Sequence, residues 1–131
     1  MQKQHFLMIG SVLGMLAVAF GAFGAHGLEK IVDAHMLQRF HTGVEYQFYH
    51  TFAILVVGLL HGQVAQQRTL QRAGYAFLLG VVLFSGSLYA YVLTGVTSIA
   101  MITPLGGSAF IIGWLLLAIA CRSQGTTHEH G

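Results

Sequence analysis

Charge is what this chain has least of. Six Lys and Arg and four Asp and Glu serve 131 residues, 8% of the total, where an average soluble domain carries roughly 25%. A water-soluble domain of this length needs a charged skin, and so few ionised groups do not supply one. Disorder is excluded by the opposite property, a content that is 55% hydrophobic. No basic run and no glycine-rich phosphate loop occurs, so nucleic acid is not an expected partner. The single cysteine, Cys121, rules out an internal disulfide. With no cysteine pair and no HExxH pattern, no metal site and no cofactor are expected.

Long apolar runs are what the chain does have. About 20 apolar residues cross a bilayer core of about 30 Å, and four stretches approach that length: residues 6–28, 43–60, 73–96 and 104–121. The expected fold is all-α, a transmembrane bundle of four helices forming a single integral domain over residues 1–131, with the lipid bilayer as its surroundings. The first run outlasts the roughly 7–15 apolar residues of a signal peptide, so it reads as a retained span. Thr103-Pro104 has the pattern of a helix start, with Thr as cap and Pro in the first turn. Residues 122–131 read as a disordered polar tail. Residues 29–41 carry Glu29, Lys30, Asp33, His35 and Arg39 among helically spaced apolar residues, and fit either an interfacial helix or a loop.

Four spans place both termini on one side. That side collects Lys3, Arg68, Arg72 and Arg122, against Lys30 and Arg39 on the other. The positive-inside rule makes the richer side cytoplasmic.

Two patterns stand out within the spans. In the first, Gly10, Gly14, Ala17, Gly21 and Gly24 recur at steps of four, three, four and three, so all five share one face. Small residues on one face admit a close helix neighbour, which suggests packing within the bundle, a second copy of the chain, or a partner in a membrane complex. The other pattern is Thr42-Gly-Val-Glu-Tyr-Gln-Phe-Tyr-His50, where a carboxylate, an amide, two phenols and an imidazole open the second span. At 100° per residue, Gly43, Gln47, His50, Ile54, Val57 and His61 form one stripe with Tyr46 at its edge, while Glu45 faces away with His41, Tyr49 and Phe52. Glu45 is therefore placed to meet His41, Lys30 or Arg39 rather than His50. At about 1.5 Å per residue, His50 lies roughly 10 Å inside the span. Ser87 and Tyr89 of the third span fall roughly 10–14 Å deep and His26 near the outer surface, about 7 Å from the level of His50, so the polar residues of the spans share the outer half. The candidate polar cluster is thus His26, Glu45, Tyr46, Gln47, His50, Ser85, Ser87 and Tyr89, in the outer half of the bundle.

An ionisable residue inside a membrane is a functional candidate by default, and His50 titrates nearest neutral pH. Three readings stay open. His50 could centre a small-solute or ion/proton site. The cluster could be interhelical glue in a structural or helper subunit. Two facing histidines, His26 and His50, could hold a haem iron. No nucleophile–base pair is visible, so catalysis is not expected.

Four blocks complete the reading: Gly21-Ala-Phe-Gly-Ala-His26, Thr42 to His50, Phe84-Ser-Gly-Ser-Leu-Tyr89 and Thr103-Pro-Leu-Gly-Gly107. In content and order they resemble the signature blocks of the domain-of-unknown-function family 423, small multi-pass proteins of the bacterial inner (plasma) membrane. The resemblance runs from Phe6 to Arg122. It implies a helical membrane bundle and brings no activity with it.

Overall fold

Four stretches of the computed structural model, which describes residues 2–122, are long and apolar enough to cross a membrane: Lys3–Lys30, Ala34–Leu60, Gln67–Thr94 and Thr97–Arg122. All regular structure among the described residues is helical. The first stretch is α1 (Lys3–His26) followed by a 3-10 turn at Leu28–Lys30, and the second is α2 (Ala34–Leu60). The third is α3 (Gln67–Gly80), one turn of π-helix (Val81–Ser85) and α4 (Gly86–Thr94). The fourth is the short α5 (Thr97–Ala100) and α6 (Thr103–Arg122). The tail expected to be disordered lies, from residue 123, outside the described residues.

The polar stretch 29–41 resolves into both of its alternatives. Its first residues make the 3-10 turn, and α2 already begins at Ala34. Asp33 sets that start: its carboxylate accepts the backbone N–H of Met36 at 2.8 Å, which satisfies one of the free donors of a helix N-terminus. Gly95 ends α4 in the left-handed region, φ 72°, with its N–H on the Tyr91 carbonyl. Glycine takes that conformation without a Cβ penalty.

α2 is the centre of the bundle. One side packs against α1 and the other against α3, the π turn and α4, while α6 runs along α3 and the π turn. The small residues of α1 face α2. A Cβ on Gly10 would strike the Leu55 side chain, and one on Gly24 would press on Phe40. Ala17 is fully buried in the same seam. That face is thus covered from within the chain, and a partner using it would have to displace α2.

Two apolar clusters occupy opposite ends of the bundle. Phe6, Ile54, Val57, Leu70 and Phe77 anchor one. Leu28, Phe40, Val44 and Val92 anchor the other. The buried polar side chains Gln47, His50, Thr51, Ser85 and Ser87 include an α2 set that lies, in sequence, between the α2 members of these clusters. Along α2 these polar residues form a layer between the two apolar clusters. α2 starts earlier than the expected span at residue 43, so Gly43 lies well inside the helix instead of at its mouth.

Candidate functional site

The middle layer is built from the stripe on α2. Gln47 bridges three helices. Its amide donates to the Leu13 carbonyl of α1 at 2.7 Å, and its Oε1 accepts the Tyr89 hydroxyl of α4 at 2.6 Å. Tyr89 is held for this by the rings of Phe20 and Phe40, at 5.1 Å and 5.0 Å. One turn earlier, the Ser85 hydroxyl donates to the Gly43 carbonyl at 2.6 Å. Ser87 turns to the other side. Its hydroxyl donates to the Phe84 carbonyl at 2.9 Å, so the Thr103 hydroxyl at the start of α6 donates to Ser87.

The Tyr89–Gln47 and Ser87–Thr103 bonds depend on the π turn. Gly86 N–H reaches the Val81 carbonyl, five residues back, so one extra residue sits in the turn. α6 comes in close beside it. A Cβ on Gly106 would collide with the Phe84 backbone, and only glycine permits that approach.

His50 lies 4% exposed in the middle third of α2. Its Nδ1 is 2.7 Å from the Tyr46 carbonyl. A carbonyl can only accept, so Nδ1 carries the proton. Nε2 then accepts the indole N–H of Trp114 on α6, at 3.1 Å. His50 is therefore held as the neutral imidazole with both ring nitrogens engaged. Phe110 stacks on it at 3.5 Å and 8°, and Phe77 packs from α3 at 5.7 Å.

Two members of the candidate cluster stand apart. His26 is exposed in the last turn of α1 and does not face the buried His50. Glu45 is exposed and accepts the Tyr49 hydroxyl at 3.2 Å. Of the partners expected for it, Arg39 is otherwise occupied: it donates to His35 at 2.6 Å and lies over the Tyr91 ring at 5.7 Å. Among the described residues, no group of three or more His, Cys, Asp and Glu is placed to hold a metal ion. His50 offers no free lone pair to one.

Beside His50 the bundle opens. α2 and α6 meet through side chains, and the gap between them is a cleft of about 710 Å³, open on one side. Six rings line it: Tyr46, Tyr49, His50, Phe84, Phe110 and Trp114. The α6 side adds Pro104, Gly107, Ser108 and Ile111. Phe110 and Trp114 are the residues that sequence reasoning passed over. One signal was available. Trp114 is the only tryptophan, and it lies mid-span, where the residue's usual place is the membrane–water interface.

Residues 20–107 match a family described as a protein of unknown function (DUF423). The chain belongs to this family. It is similar to the UPF0382 membrane protein YwdK of Bacillus subtilis (strain 168), 44% identical over 115 residues that cover 88% of this chain and 94% of that one. It is similar to a UPF0382 membrane protein of Haemophilus influenzae, 41% identical over 116 residues, 88% of this chain and 92% of the other. The UPF0382 inner membrane protein YgdD of Escherichia coli (strain K12) is 43% identical over 136 residues, covering 98% of this chain and 100% of that protein. No solved structure matches the chain. With four apolar helices of spanning length, the protein is a multi-pass member of the DUF423 family in the bacterial inner membrane.

Proposed function

We propose that the protein binds an apolar small molecule, drawn sideways from the bilayer, in the cleft between α2 and α6. The observation that carries this reading is the cleft itself. Its volume of about 710 Å³ lies within the roughly 300–1,000 Å³ of ligand sites, and it opens at the level of the mid-span residues His50 and Trp114. His50 serves as its inner wall, kept neutral by Trp114 and Tyr46. Gln47, Ser85, Ser87 and Tyr89 act as interhelical glue around it, and Glu45 and His26 stand outside it.

Gly107→Leu tests the reading. A Cβ there meets only the edge of the Phe84 ring, at 3.9 Å, so the side chain enters the cleft without a collision at its base. The wild type, purified in mild detergent and extracted with organic solvent, should yield a stoichiometric apolar species by mass spectrometry. The variant should lack it. Equal yields from both would end the proposal.

We further infer that the chain is one integral domain with both termini cytoplasmic, supported by the surplus of Lys3, Arg68, Arg72 and Arg122 on that side. Cys121, the single cysteine, is exposed near the end of α6. A membrane-impermeant maleimide should label it in lysed cells and leave it untouched in intact ones. Labelling of intact cells would invert the topology.

A further inference from the structure

Resting on the cleft as a binding site, we propose that its ligand is a quinone-class molecule: an uncharged planar ring bearing carbonyl oxygens, dissolved in the membrane. The lining makes the choice. A site for acyl chains would be walled by branched aliphatics, and here Ile111 is the one such residue against six rings. Aromatic side chains favour other ring systems through offset or edge-to-face contact, beyond the area they bury. Three of the rings are also stacked near parallel, His50 and Phe110 face to face at 3.5 Å. His50 and Phe110 lie within 8° of each other, Tyr46 within 18° of His50 and within 26° of Phe110. On α6 the small residues Gly107 and Ser108 leave room for a plate-like molecule to lie among those rings.

Polarity narrows the class further. No charged side chain lines the cleft, so an ionised ligand would enter uncompensated. Most polar hydrogens there are already committed. Trp114 N–H goes to His50, the Tyr49 hydroxyl to Glu45, and the Ser108 hydroxyl to the Pro104 carbonyl at 3.0 Å. The Tyr46 hydroxyl has no hydrogen-bond partner among the described residues. A lone hydroxyl donor in an aromatic cleft is the complement of a ring carbonyl.

Trp114 supplies the readout, because it is the only tryptophan and lines the cleft. The full chain in lipid nanodiscs is titrated with decylbenzoquinone while Trp114 emission is followed. The expected result is saturable quenching, with half-saturation raised about tenfold or more in Gly107→Leu and severalfold in Tyr46→Phe. Ser108→Leu fills the same space from an exposed position and replaces Gly107→Leu if that variant does not fold. A lipid with brominated acyl chains is the aliphatic probe. If it quenches saturably and the filling variant abolishes this, while the quinone gives only a linear partitioning response, the quinone class is overturned and the cleft reading stands. If neither probe responds to the filled cleft, both fall. Unchanged quinone affinity in Tyr46→Phe would overturn the assignment of the carbonyl acceptor to Tyr46.

Discussion

α2 has two neighbours on opposite terms. Toward α1 it meets glycine and alanine, and the backbones close until a single added carbon would strike the facing side chain. Toward α6 it meets Phe110 and Trp114, whose rings reach His50 while the helices stay apart. In a bilayer, apolar burial gives little drive for helix pairing, because lipid tails are as apolar as leucine. Residue size then decides. Small residues give close contact and a closed seam, and large rings bridge a gap and leave a cleft. One helix can therefore carry a structural face and a ligand-ready face without any change in overall hydrophobicity.

The largest effect should come from exchanging these terms. Gly10→Leu puts a bulky side chain where a Cβ already meets Leu55 at 2.6 Å, and should cost about 3 kcal/mol. Gly107→Leu on the open side should cost under about 0.5 kcal/mol. Thermal unfolding of both proteins in one detergent checks the pair, and equal losses would show that the two seams do not differ. Gln47→Leu comes next. It leaves Tyr89 and the Leu13 carbonyl without their partner and should cost about 1–2 kcal/mol, read by the same melt. A neutral outcome would remove Gln47 from the structural layer. Trp114→Phe is the mildest. It keeps a ring in the cleft and deletes one hydrogen bond, for about 0.6 kcal/mol. A loss several times larger would mean that the bridge across the gap holds α6 in place.

Much of the α2 face was legible in advance. Angular spacing groups Gly43, Gln47, His50, Ile54, Val57 and His61, and all but His61, half-buried at the end of α2, are buried; of the opposite set Glu45, Tyr49 and Phe52 are exposed and His41 is half-buried. Periodicity serves well here because a helix repeats its faces regularly. Ser85 and Tyr89 likewise turn together toward α2, through Gly43 and Gln47. What stayed hidden depends on contacts distant along the chain. Trp114 lies 64 residues after His50, and no local pattern links them. The start of α2 was hidden for another reason. Asp33, His35 and Arg39 lie in a stretch that fits either an interfacial helix or a loop, and what the pattern does not show is that the capped helix there runs unbroken into the second span, because its backbone bonds do not depend on apolar side chains. The π turn leaves no mark either, since Val81-Val-Leu-Phe-Ser85 differs in nothing from an ordinary apolar helix.

That π turn also works as a counting device. Residues before Val81 and after Ser85 keep regular α spacing, but the extra residue offsets the two halves of the third span in phase. Shortening the segment by one residue would not break the helix; it would make it more regular. It would also swing every later side chain by about 100°, taking Tyr89 off Gln47 and Ser87 off Thr103 together. The surplus residue is the increment that keeps two cross-helix bonds in step, so a deletion that improves the local helix would unlock the bundle.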